Sequence, residues 1–302
     1  MPDGILLLDK ARGLSSNAAL QRVRALFGRC KAGHVGSLDP LATGMLPICL
    51  GEATKVIPEL EAARKCYRFA VTLGVATASG DAEGEVTGRA PVPPLSADAL
   101  RALLGTWQGV RTQVPPMYSA LKHAGQPLYR LARAGLEVPR APRRIELFAL
   151  ELLAMTPQEL TLRTVCSKGT YVRVLAQDLA RELGTLGHVT ELHREWVEPF
   201  AGQPLESLAT LSARLTRGER APLLPADAPL AHLPAVHLDV VQLGQVRQGR
   251  RVRTAAPAAA RVRIYGPDGA FVGLGAVDPE GALQPRRLLR AAAPGHAEAE
   301  GL

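Results

Sequence analysis

The sequence predicts an α+β protein followed by a small all-β module, and three observations predict it. Cys66 to Leu73 alternates, placing Tyr67, Phe69, Val71 and Leu73 on one face with the period of a strand. Leu20, Val23 and Phe27 recur at helical spacing, as do Leu100, Leu103, Leu104 and Trp107, and then Val172, Leu175, Leu179 and Leu183. Beyond Pro234 the chain breaks into short strand candidates with a GPDG turn at Gly266 to Gly269.

Taken in order, Ile5 to Asp9 is a short apolar strand candidate, and Gly13 turns the chain toward a helix that Ser15 or Ser16 can cap. Gly28 ends that helix. Ser96 caps the second helix, after a turn-rich stretch from Thr77 to Gly88. Ile145 to Leu153 and Glu159 to Cys166 read as paired strands about a Thr156-Pro157 turn. The third helix begins near Thr170 and stops at Gly184. Six prolines between Pro199 and Pro234 suggest an irregular connection. The composition of AAAPGHAEAEGL, residues 291–302, reads as a disordered tail.

Charge and motif content narrow the function. The net charge of +8 favours a polyanionic partner, without choosing between RNA and DNA. Seven basic residues stand against one acid between Arg111 and Arg144, with Tyr118 and Tyr129 among them. That composition fits either a solvated loop or a surface for phosphates and unstacked bases. No HExxH or Cys/His ligand pattern predicts a metal, no nucleotide-binding glycine motif predicts a cofactor, and the four separated cysteines are expected to be buried thiols. The chain has no apolar run of the ~18 residues a spanning helix needs and no secretory leader at MPDGILLLDK, so no membrane role and a cytoplasmic site are expected.

The chemistry concentrates in Gly33 to Lys55, GHVGSLDPLATGMLPICLGEATK. Its glycines and prolines shape a particular backbone path, and Asp39 is its central acid. Pro40 biases Asp39 toward an extended or turn conformation, so its carboxylate is expected on a loop. Arg173 falls in the first turn of the third helix, where the macrodipole favours an anion; an RNA phosphate or the Asp39 carboxylate could supply it. On spacing alone Tyr67 is a core tyrosine.

The 23-residue run from Gly33 to Lys55 resembles, at every fixed position, the central motif GHxGxLDPxATGxLxxxxGxATK of the TruB family of pseudouridine synthases. Cys166 to Arg173 is similar to the family's CSKGTYxR, VPPMYSALKHAG to its RNA-pressing insertion, and His188 to Phe200 to the last catalytic motif. The opening LDKARGLSS departs from LDKPxGxTS at Ala11 and Ser15, and Glu198 stands where the family often has Gly.

The resemblance implies a mixed, largely antiparallel-sheet catalytic domain over 1–233, with a basic RNA-contacting insertion at 111–144, and a PUA-like RNA-binding domain over 234–290. It implies Asp39 as nucleophile, Arg173 as its partner and Tyr67, after the basic Lys65, stacked on the target base. It implies RNA contacts from His34, Lys55, Tyr118, Lys122, Tyr171 and Leu192, the last lining the uracil pocket. The expected activity is isomerisation of uridine 55 in the T loop of tRNA, by a monomer with no obligatory protein partner, no cofactor and no metal. A guide-RNA-directed synthase, an RNA-folding chaperone acting without catalysis and, more distantly, a two-carboxylate hydrolase are the alternatives.

Overall fold

The alternating segment lies in the middle of a sheet. The computed structural model describes residues 3–290 and forms this sheet from nine strands. They are β1 (Gly4–Lys10), β2 (Ala32–His34), β3 (Thr43–Leu50), β4 (Lys65–Leu73), β5 (Gly109–Gln113), β6 (Arg143–Met155), β7 (Glu159–Cys166), β8 (Gly187–Val197) and β9 (Glu206–Ser207). The order is β9-β1-β3-β8-β4-β7-β6-β5, with β2 added to β3. Only β1/β9 and β3/β8 run parallel. The sheet is therefore mixed and largely antiparallel.

Both faces of its centre are covered, which is why β1 and β3 read as continuous apolar runs rather than alternations. On one face Leu6, Leu8, Leu46, Ile48, Phe69 and Val71 pack with helices Ser16–Leu26, Ala97–Thr106 and Val172–Glu182. Ser15 and Ser96 cap the first two, each accepting from a backbone N–H. On the other face Ile5, Leu7, Met45 and Cys49 meet Val56, Leu60, Val197 and Leu230. Each fully buried Leu or Ile contributes roughly 2 kcal/mol. The four cysteines are buried and unpaired.

The stretch from Pro199 to Pro234 is more ordered than its prolines imply. None of the six prolines falls between Leu205 and Ala221, and Leu208–Thr216 is a helix in which Ser207 and Thr210 form a reciprocal capping box.

The C-terminal module is a five-stranded sheet: β10 (Ala235–His237), β11 (Val252–Arg253), β12 (Ala259–Tyr265), β13 (Phe271–Val277) and β14 (Ala282–Leu288), ordered β10-β12-β13-β14-β11. The GPDG sequence makes the β12–β13 turn, closed by Gly266 N–H to the Ala270 carbonyl at 2.9 Å. The module also holds helix Val240–Arg247, capped by Asp239 and Gln242. It docks on the larger sheet: Phe271 and Leu274 enter the second core, Arg261 pairs with Glu59, and the Lys55 ammonium donates to the Leu288 carbonyl at 2.8 Å. Residues 291–302 lie outside the described part of the chain.

Candidate active site

Asp39 sits in the loop between β2 and β3, held on both sides. The Leu38 N–H donates to Ser16 Oγ at 2.7 Å, and the Gly13 N–H donates to the Pro40 carbonyl at 2.8 Å. Two glycines make the approach possible. Gly36 has φ +65°, and a Cβ there would lie 3.1 Å from Arg194 Nη1. Gly44 has φ +94°, and its Cβ would stand 2.3 Å from the Arg194 carbonyl oxygen across the parallel β3/β8 pair, so a side chain would force the central strands apart.

The anion that the first turn of helix Val172–Glu182 invites is Asp39. Arg173 Nε donates to Asp39 Oδ2 at 2.8 Å and Nη2 to Oδ1 at 3.2 Å, a bidentate pair. The same guanidinium donates from Nη1 to the Ser79 carbonyl and from Nη2 to the Tyr118 carbonyl, both at 2.6 Å. Asp81 Oδ2 lies 3.6 Å from Arg173 Nε. Arg173 is buried at 4% side-chain exposure while Asp39 keeps 37%, so the arginine is the fixed partner and the carboxylate faces an approaching ligand. Gln113 steadies the helix start, accepting from Tyr171 N–H at 2.8 Å and donating to the Tyr171 carbonyl at 3.1 Å.

Positive charge lies beneath this pair. Lys10 and Arg194 are fully buried, and Lys65 nearly so. Burial pulls the Lys10 ammonium down to about 8, with Asp39 and Glu83 opposing, and burial with Arg194 beside it pulls Lys65 down to about 8. Lys10 donates to the carbonyls of Ala11 and Leu14, and Lys65 to those of Glu61 and Ala63. Arg194 donates from Nε to Met45 O at 2.7 Å and from Nη2 to Gly36 O at 3.0 Å and Val35 O at 3.3 Å. Hydrogen bonds to charged groups contribute about 1.5–3 kcal/mol each. Three together offset a desolvation cost of several kcal/mol.

The remaining candidates divide. Tyr67 lies on β4 opposite Arg194 on β8, the residue buried and its hydroxyl pushed up by that burial. Leu192 is buried opposite Phe69 in the same core. Tyr171 is partly buried, which pushes its hydroxyl up. His34 is pulled down by burial and by Arg194, and its Nδ1 has no partner among the described residues. Tyr118 reaches the centre through its backbone carbonyl. Lys122 is exposed on a short hairpin, Lys122–His123 against Gln126–Pro127. Lys55 is engaged elsewhere, paired with Glu52 at 2.6 Å and bonded to the C-terminal module. Arg111, Arg143 and Arg144 belong to the paired strands β5 and β6, so the excursion proper runs over 114–142.

Sequence reading did not single out Lys10, Asp81 or Arg194. Arg194 left a signal: it stands two residues after Leu192, the spacing of one strand face, so the alternation that buries Leu192 buries Arg194 too. Asp81 left none, because its place beside Arg173 exists only in three dimensions. Among the described residues no cluster of metal-ligating side chains occurs, and no helix is long and apolar enough to cross a membrane.

Comparison with known proteins places this mixed sheet, its loop aspartate held by a buried arginine and the small β module docked beside it among the pseudouridine synthases. Residues 24–172 match the model of the TruB family pseudouridylate synthase N-terminal domain, and residues 234–289 that of the pseudouridine synthase II TruB C-terminal domain. The chain is 50% identical over 287 residues to tRNA pseudouridine synthase B of Aromatoleum aromaticum, covering 95% of this chain and 92% of that protein. It is 48% identical to the protein of the same name from Thiobacillus denitrificans, covering 95% and 96%. Its fold is similar to a chain in the crystal structure of a Cbf5-Nop10-Gar1 complex, with TM-score 0.71 and 22% identity over 94% of this chain and 84% of that one. This chain belongs to the TruB family.

Proposed function

We propose that the chain isomerises uridine 55 in the T loop of tRNA to pseudouridine, with Asp39 as the nucleophile. The observation that carries this reading is the bidentate Asp39–Arg173 pair on a loop clamped at both sides. The tRNA substrate follows from relatives 45–50% identical that are named tRNA pseudouridine synthase B and share nearly the whole length of the chain.

The reaction breaks the bond from C1′ to N1, makes one from C1′ to C5 and removes the C5 proton. Asp39 adds to the nucleoside, and Arg173 fixes the direction of its carboxylate. Tyr67 stacks on the base and takes the C5 proton, Leu192 lines the base pocket, and Tyr171 borders it. A uridine in folded RNA must first swing out, which costs a few kcal/mol. In this reading the basic excursion, with Tyr118 and Lys122, joins His34 and the C-terminal module in offsetting that cost through RNA contacts. Residues 1–233 then form the catalytic domain and 234–290 an RNA-binding one. Lys55 fastens the two together in the free protein. The enzyme acts in the cytoplasm, as a monomer that requires no partner protein.

Tritium release from C5-labelled uridine in unmodified tRNA tests this, comparing the intact protein with Asp39→Asn at matched RNA binding. Release by the intact protein alone is expected. Equal release by both would remove Asp39 from the chemistry. Tight binding with no release from either would favour a guide-dependent enzyme or an RNA chaperone.

A further inference from the structure

Arg194 is fully buried, yet its partners are neutral oxygens. Its Nε and Nη2 are taken up by Met45, Val35 and Gly36, the residues that flank the Asp39 loop on either side. Its Nη1 has one partner left, the Tyr67 hydroxyl oxygen at 3.5 Å. Strand pairing sets this up: Arg194 stands opposite Tyr67 on one side and opposite Gly44 on the other. Gly36 keeps the space open, since a Cβ there would press on Nη1 at 3.1 Å.

We propose that Arg194 is a positioning residue for the isomerisation: it ties both ends of the Asp39 loop to Tyr67 and points one N–H at the phenol oxygen, so that this oxygen accepts the C5 proton. The proposal rests on the roles of Asp39 and Tyr67 given above. A cation beside the oxygen favours its deprotonated form. Burial pushes the Tyr67 hydroxyl up, and Cys166 and Asp39 push the same way; Arg194 pulls it back. Lys10, His34, Lys65 and Cys166 are other titratable groups that feel the Arg194 charge. At 3.5 Å the contact is long for a hydrogen bond. Such contacts commonly tighten only once substrate is bound.

Once C1′ is joined to C5, the C5–H bond breaks and its electron pair becomes the C5=C6 bond. The C6=N1 pair moves onto N1, which takes a proton from water. The C5 proton passes to the Tyr67 oxygen as that hydroxyl gives its own proton to solvent. Arg194 keeps its own protons throughout.

The test compares the intact enzyme with Arg194→Met and Arg194→Lys, using tRNA carrying protium or deuterium at C5 of the target uridine. Arg194→Met is expected to bind tRNA normally and to lose about 10- to 100-fold in kcat, within the range general-base catalysis supplies. It should also show a C5 deuterium isotope effect larger than that of the intact enzyme, because C5 deprotonation becomes limiting. Arg194→Lys should lose less. In a Tyr67→Phe background Arg194→Met should cost nothing further in kcat. A merely structural role would lower stability and rate without moving the isotope effect, and that result would overturn the proposal. Should Arg194→Met fail to fold by circular dichroism, Arg194→Lys takes the same comparison: an enlarged isotope effect supports the assignment and an unchanged one overturns it. Absence of turnover in the intact enzyme would overturn the underlying reading and this proposal together. Turnover with an isotope effect unmoved by either substitution overturns the role of Arg194 alone.

Discussion

The Asp39 centre and the 114–142 excursion both gather cations, and they place them in opposite ways. At the centre Lys10, Arg173 and Arg194 are buried, and their donors go to backbone carbonyls, to Asp39 and Asp81, and to the Tyr67 hydroxyl. In the excursion Lys122, Arg130 and Arg133 are exposed. A hydrogen bond that ties the excursion to the centre is donated by Arg173 to the Tyr118 carbonyl. Buried cations bonded to carbonyls hold a geometry, whereas exposed ones are free to meet phosphate. In the proposed function, this difference separates the group that would position the reaction from the surface that would hold the RNA.

Substitution at Arg173 is the strongest way to break this contrast. Arg173→Met removes the partner of Asp39, leaves the Ser79 and Tyr118 carbonyls without a donor, and leaves buried Asp81 without its cation, held only by Ser79 Oγ and the Glu83 N–H. Breaking a buried pair costs about 3–5 kcal/mol, and the exposure of Asp39 reduces this to roughly 2–4. Denaturant unfolding should read that loss, and tritium release should fall by about 10³-fold or more. Arg173→Lys should keep more of the stability than of the activity, because an ammonium cannot reproduce the fork.

The excursion should respond in affinity. Replacing Lys122, Arg130 and Arg133 together by Ala is expected to weaken tRNA binding about 10-fold or more at physiological salt and to flatten the salt dependence by ~0.7–0.9 per lost phosphate contact. The turnover rate at saturating tRNA should stay near that of the intact enzyme. A fall in turnover with unchanged affinity would erase the distinction between the two regions.

A smaller effect concerns stability and pH. Lys10 and Lys65 titrate at about 8 in the folded protein against 10.5 as free side chains, so above pH 8 the unfolded chain binds more protons and stability rises. Burial raises Cys49 and Cys66 from 9.0 to about 12 and Cys166 to about 11. Above pH 9 the folded protein therefore holds thiol protons that the unfolded chain has lost, and stability falls. Denaturation without RNA should show a shallow maximum near pH 9, with changes of order 1 kcal/mol on either side. Stability that continued to rise through pH 11 would contradict the burial of the thiols.

Much of this architecture is written in local pattern. The alternation of Cys66 to Leu73 became β4, Ser15 and Ser96 cap the helices they precede, and the Thr156-Pro157 turn joins β6 to β7. Arg173 was legible in part: a cation in a helix's first turn calls for an anion, and only the likeness of Cys166 to Arg173 to the family motif chose Asp39 over an RNA phosphate. Helices Leu208–Thr216 and Val240–Arg247 were less so. The first is hidden among prolines that all lie outside it, and the second exposes Val240 and Val241 instead of lining one apolar face. Asp81 and Lys10 escaped because no local pattern pairs a turn acid with a helix 92 residues later, or a strand-end lysine with a loop 30 residues away; only the tertiary fold brings them together.

The most direct test of the central claim uses tRNA carrying tritium at C5 of uridine 55 alone, mixed with the intact protein and no guide RNA. Release of one equivalent of tritium per tRNA is expected, with pseudouridine at that position. Tight binding without release would contradict it.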